Sequence, residues 1–154
     1  MASRAREKPE TPSPDDAEGG GAGEHRSTLL IRHRPAAHAA REFVAEALTQ
    51  WAMTRRLDDI RLCASELVTN ALLHGGPAGS LILVRLELHT THLLLEVHDA
   101  GDGIPKRHKV PDTSDDGRGL FLVAAIADDW GVATRQGPGK RVWAAFHYTE
   151  ATRC

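Results

Sequence analysis

Along residues 57–74 the apolar positions Ile60, Ala64, Leu67, Val68 and Ala71 fall at i, i+4, i+7, i+8 and i+11, the spacing of one helix face. The same stretch sets Glu66, Asn70 and His74 at i, i+4 and i+8, a narrow polar stripe beside that face. Leu57 and Asp58 open this helix, with acid near the positive end of its dipole, and Gly75-Gly76-Pro77 closes it. Upstream, Leu29, Leu30 and Ile31 precede Pro35 and predict an edge strand. Pro35 then suits the start of another helix, whose apolar face runs through Ala39, Phe43, Val44, Ala47, Leu48 and Trp51. Downstream, Ile82, Val84, Leu86 and Leu88 alternate with Leu83, Arg85 and Glu87, the period of a half-buried strand. After a tight connection at His89-Thr90-Thr91-His92, Leu93, Leu95, Val97 and Asp99 alternate with Leu94, Glu96 and His98 in a second such strand. Leu120 to Ile126 are apolar nearly all round and predict a buried helix. Trp130, Val132 and Thr134, then Val142, Ala144, Phe146 and Tyr148, predict two final strands about a Gln136-Gly137-Pro138-Gly139 turn.

Three places in this pattern are expensive unless something there needs them. Glu66 and Asn70 lie at the border of the core face, where a desolvated polar group without a partner costs roughly 1–3 kcal/mol. Asp99 ends a row of Leu93, Leu95 and Val97, on the buried side of its strand and just before Ala100-Gly101-Asp102-Gly103. Gly117-Arg118-Gly119 stands immediately before an apolar helix, where backbone N–H groups and the helix dipole favour an anion such as phosphate. Between the last two, Ile104 to Asp116 carry two prolines and no periodicity, which predicts a mobile loop.

Composition narrows the classes of function. The chain has 154 residues, enough for one compact domain. Its 19 basic and 21 acidic residues leave a net charge of −2, without the basic footprint of a duplex-binding protein. Cys63 and Cys154 lie far apart, with no paired spacing for a metal or a disulfide, so a reduced, cytoplasmic protein is expected. No apolar run approaches a bilayer span, and the N-terminus lacks the apolar stretch of a signal peptide. Residues 1–26 hold three prolines, a Gly19-Gly20-Gly21 run and almost no apolar side chain larger than Ala, and are expected to be a disordered tail. The domain is expected over residues 27–149, with a short C-terminal tail at 150–154. The spacings of a Walker-type loop and of a dinucleotide fingerprint are both absent.

The three features become specific in their order. A helical E-x-x-x-N-A-x-x-H-G is followed by D-x-G-x-G after a strand and then by G-R-G-L at a helix start. In this order the sequence resembles the GHKL ATPase superfamily over about residues 27–149, and within it the stand-alone bacterial anti-sigma factors that double as serine-protein kinases. The resemblance implies an α+β fold: a Bergerat-type two-layer α/β sandwich with helices on one face of a mixed, mainly antiparallel sheet. It also implies ATP and Mg²⁺ as ligands. Asn70 matches the residue that ligates Mg²⁺, and Glu66 the acid used as general base. Asp99 matches the carboxylate that accepts from the adenine amino group. Gly101 and Gly103 match the glycines beside the base, and Gly117, Arg118, Gly119 and Leu120 the lid hinge and phosphate-binding amides. His74 either lines the nucleotide pocket or caps its helix. One departure stands out: where many relatives carry a Gly-Thr pair ahead of the last strand, Gly139 is followed by Lys140 and Arg141.

The function implied by the resemblance is an ATP-dependent protein serine/threonine kinase that sequesters a sigma factor. Its substrate would be a small STAS-type anti-anti-sigma antagonist, with a homodimer as the expected assembly and no contact to nucleic acid or membrane. A second reading is an ATP-gated binding module of the same fold without phosphoryl transfer. A fragment of a sensor histidine kinase is disfavoured, because His38 lacks the Glu and downstream Pro expected around a phosphoacceptor histidine.

Overall fold

The computed structural model describes residues 23–74, 76–77, 79–101, 115–134 and 139–148, with the side chains of residues 115–119 and 134 excepted. Residues 1–22 of the expected N-terminal tail, the last domain residue 149 with the expected C-terminal tail at 150–154, the loop from Ile104 to Ser114, Gly75, Gly103 and the turn at Gln136 to Pro138 lie outside these residues.

Among the described residues, five strands form a single sheet in the order β1-β2-β3-β5-β4. They are β1 (Glu24–Ile31), β2 (Leu81–Leu88), β3 (His92–Asp99), β4 (Asp129–Thr134) and β5 (Lys140–His147). Every pairing is antiparallel, so the mixed character implied by the resemblance is not found among the described residues. Three helices, α1 (Ala36–Gln50), α2 (Leu57–His74) and α3 (Asp115–Ile126), make the second layer.

The core lies between the layers and is built from the residues whose periodicity marked it. Ile60, Ala64, Leu67, Val68 and Ala71 of α2 are all buried against Ile82, Val84, Leu86, Leu93, Leu95, Val97, Val142, Ala144 and Phe146 of the sheet. Of the expected α1 face, Val44, Ala47 and Leu48 are buried, joined by Ala36 and Ala40, while Ala39, Phe43 and Trp51 are half-buried at its edge. Arg41 of α1 donates to Ser65 Oγ of α2 at 2.9 Å, one residue before Glu66, and so fixes how the two helices face each other.

Two elements depart from the reading of the sequence. β1 begins at Glu24, inside the stretch expected to be a tail. Tertiary partners hold its polar start: Glu24 Oε1 accepts from Trp51 Nε1 at 2.7 Å, and the Arg26 guanidinium lies 5.3 Å from the centre of the same ring. α3 is not buried all round. It inserts Leu120 and Val123 into the core, while Phe121 is 74% exposed and Leu122, Ala124 and Ala125 also face outward. Among the described residues α3 packs on α2 and β4, so its apolar sequence supplies one buried stripe and one exposed one. Its first turn also starts at Asp115, so Gly117 sits among the unpaired N–H groups of that turn and Gly119 one step further in.

Arg56 closes the end of the sandwich far from the C-terminus of α2. Its guanidinium donates to Asp128 Oδ2 at 2.7 Å and to the Ile126 carbonyl at 2.9 Å, and lies 5.2 Å from the Phe146 ring centre. One side chain thus ties the start of α2 to the last carbonyl of α3 and to the sheet.

Candidate functional site

The C-terminal half of α2 carries the first motif. Asn70 is only 5% exposed, a carboxamide at the core border between Leu67 and Ala71. Glu66, one turn earlier, is half-buried, and His74 in the last turn is exposed. The end of α2 is held by Arg32 from the strand side: Nε donates to the Ala71 carbonyl at 3.1 Å and Nη2 to the Leu72 carbonyl at 2.6 Å. A guanidinium on those carbonyls satisfies orphan acceptors and complements the negative end of the helix dipole. It therefore fixes the turn that presents Asn70.

The second motif meets the first through a glycine. Gly76, with φ of 107°, adopts a conformation that favours glycine, and a Cβ placed on it would lie 3.1 Å from the Ala100 carbonyl carbon. The chain leaving α2 consequently runs directly against the residue that follows Asp99. Asp99 itself is 2% exposed, and its Oδ1 accepts from the Gly101 amide at 2.8 Å. That bond turns the chain sharply out of β3 and aims the carboxylate at the end of the sheet.

The other oxygen of Asp99 has a partner that its own strand does not show. Lys140 Nζ donates to Asp99 Oδ2 at 2.8 Å, with both side chains almost completely buried. Lys140 is the first residue of β5 and stands opposite Asp99 in the β3–β5 register. The position flagged in the sequence as a departure from the Gly-Thr pattern is therefore inside the site. The third motif joins through packing, since α3 lies on α2 with Leu120 and Val123 in the shared core. Gly101 is buried; the side chain of Arg118 and all of Gly103 are outside the described residues.

Glu96 is a buried charge that reading by alternation passed over. It lies on the opposite sheet face, 2% exposed, with His98 Nε2 at 3.0 Å from Oε1 and Arg141 Nη1 at 3.4 Å from Oε2. Burial works against its charge, but the bond to His98 and the field of Arg141 outweigh it and hold the carboxyl below the usual Glu range. This network is turned away from α2, and its role is to keep a charged side chain under the sheet. Arg141, the other residue of the departure, belongs to it.

A model of the histidine kinase-like ATPase domain matches residues 30–146, from the end of β1 to the end of β5. The chain belongs to that family. Membership of an ATPase-domain family carries ATP binding with it, and the motifs on α2, β3 and α3 are the parts of the domain that converge here. Among individual relatives, the chain is similar to the anti-sigma F factor of Clostridium acetobutylicum, at 28% identity over 95 residues. That alignment covers 56% of this chain and 66% of the relative, so it spans slightly less than two thirds of that protein. Solved structures to which the chain is similar include the histidine kinase AdeS of Acinetobacter baumannii, at 14% identity, 79% of this chain, 67% of that one and a TM-score of 0.47. A blue-light-activated histidine kinase of Erythrobacter litoralis matches at 23% identity over 86% of this chain and 66% of that one, with a TM-score of 0.48.

The described residues fit a nucleotide in their chemistry. A buried carboxylate, a buried carboxamide on the facing helix and a helix start with free N–H groups supply an acceptor, an oxygen donor and an anion site. Among the described residues no group of three or more His, Cys, Asp or Glu is arranged to hold a metal ion. No helix among the described residues is long and apolar enough to cross a membrane.

Proposed function

We propose that this protein is an ATP-dependent protein serine/threonine kinase that acts as an anti-sigma factor, and that its substrate is a small STAS-type antagonist protein. The observation that carries the reading is the placement of Glu66 one turn before the buried Asn70, half-buried at the edge of the same helix. Asn70 would hold Mg²⁺, which neutralises phosphate charge when bound. Asp99 accepts from the base amino group, and the backbone amides in the first turn of α3, about Gly117 and Arg118, receive phosphate oxygens. Glu66 takes the proton of a substrate Ser or Thr hydroxyl as its oxygen bonds to the γ-phosphorus and the bond to the β-phosphate oxygen breaks, releasing ADP. Similarity to an anti-sigma F factor supports a sigma factor as the sequestered partner, and a cytoplasmic setting follows from that role. The exposed His74 suits the rim of the pocket rather than its interior.

A second reading, ATP-gated binding without transfer, is favoured by the outward apolar face of α3. Phe121 at 74% exposure and Leu122 beside the phosphate end are placed to meet a protein surface rather than a nucleotide. Transfer of label from γ-labelled Mg-ATP into a lysate of the native host separates the two. A small labelled protein seen with the parental chain and lost with Glu66→Ala supports the kinase. Undiminished transfer by Glu66→Ala refutes the base role. ATP binding without transfer, in a lysate shown to contain the unphosphorylated antagonist, supports the gated module.

A further inference from the structure

Lys140 is a buried cation that the nucleotide reading leaves without a task. Its Nζ lies 2.8 Å from Asp99 Oδ2, and the Gly101 amide already holds Oδ1. The base end of the site is therefore not a lone acceptor. It is an acceptor and a donor side by side, both closed off from solvent.

That difference decides which purine edge fits. A carboxylate alone accepts from the 6-amino group of adenine and faces the 6-oxo group of guanine or hypoxanthine as acceptor against acceptor. Discrimination of this kind is strong, because the wrong base leaves buried polar groups unpaired. An ammonium beside the carboxylate removes the mismatch. With Asp99 and Lys140 both beside the position of the 6-substituent, adenine can give its amino hydrogen to Asp99, and a 6-oxopurine in the same pose can accept at O6 from Lys140. Lys is suited to both, since its ammonium is a compact point charge with three rotatable donors rather than a rigid fork. Only one of those donors is needed for Asp99.

The geometry points to Lys140 as a specificity-determining residue that opens the base site to 6-oxopurine nucleotides, such as GTP and ITP, as well as ATP. This rests on the reading of Asp99 as the base-binding carboxylate. The test is equilibrium binding of ATP, GTP and ITP, each with Mg²⁺, to the full chain and to its Lys140→Thr and Lys140→Arg variants, with thermal unfolding of each protein measured alongside. The parental chain is expected to bind GTP within about tenfold of ATP and Lys140→Thr to raise the GTP-to-ATP ratio of dissociation constants by about tenfold, with Lys140→Arg, a rigid fork in place of the rotatable ammonium, falling between the two. Any rise beyond threefold supports the role of the cation; a ratio within threefold of the parental one overturns it. Discrimination against GTP by more than tenfold in the parental chain also overturns it, and needs no variant that folds. Absence of binding for all three nucleotides to every protein overturns the nucleotide reading itself, an outcome distinct from a parental chain that binds ATP alone.

Discussion

Arg56 offers the sharpest test of how this sandwich is held together. Replacing it with Ala removes a charged bond to the Ile126 carbonyl at 2.9 Å, an ion pair to Asp128 at 2.7 Å and the guanidinium lying 5.2 Å from the centre of the Phe146 ring. The carbonyl bond is the largest contribution, at about 1.5–3 kcal/mol, because it joins a charged donor to an orphan acceptor at the end of α3. The ion pair counts for less. Its side chains are 22% and 40% exposed, so solvent screening reduces it to about 0.5 kcal/mol. The ring contact adds about 0.5–1 kcal/mol. The expected loss is about 3 kcal/mol by urea denaturation, or a fall in Tm of roughly 6–12 °C for a chain of this size. A double-mutant cycle of Arg56→Ala with Asp128→Asn should show a coupling of only about 0.5–1 kcal/mol, most of the loss remaining with Asp128 changed. A loss below 1 kcal/mol, or a coupling above 2 kcal/mol, would refute this ranking of contacts.

Ala52, just past the C-cap Trp51 of α1, has φ of 58°, a left-handed conformation that Gly adopts without strain, so Ala52→Gly should raise stability by about 0.5–1 kcal/mol in the same urea assay. Burial, together with the nearby Asp59 carboxylate, pushes the Cys63 thiol up to about 12, so a thiol reagent at neutral pH should leave Cys63 unmodified in the native protein and label it after unfolding. Glu96 and Asp128 are both desolvated, yet their hydrogen bonds and cationic neighbours hold them below the ordinary values of 4.5 and 3.8. Their contribution is complete above those values and is lost as pH falls through the lower native ones; Glu96→Gln should flatten the decline in urea midpoint below about pH 4.5 relative to the parental chain.

The parts of the fold legible in the sequence are those governed by local period. The α2 face from Ile60 to Ala71 and the alternation through β2 each state which side is buried, and the structure agrees; β3 departs from its alternation, being buried on both faces with Leu94 and Glu96 closed off as well. Asp99 was legible as an anomaly for the same reason, because a carboxylate at the end of an apolar row breaks its own pattern. The start of β1 was not legible, since Glu24 and Arg26 are held by Trp51, a residue distant in the chain. α3 shows the limit of composition: an apolar helix is buried only where neighbours exist, and the number of neighbours is a property of the layer. Lys140 was visible as a departure from a motif, but its bond to Asp99 depends on the β3–β5 register, which no local pattern contains.

The same register governs the order in which the molecule can assemble. β2 and β3 are joined by a tight connection and can pair early, whereas the bond between Asp99 and Lys140 closes a separation of 41 residues. Loop closure of that kind is resisted by chain entropy until much of the intervening chain is in place, which slows the non-local pairings of a sheet. Until β5 docks, the β2–β3 hairpin carries an Asp99 without its Lys140 partner, so the buried pair comes into existence only when β5 closes on β3.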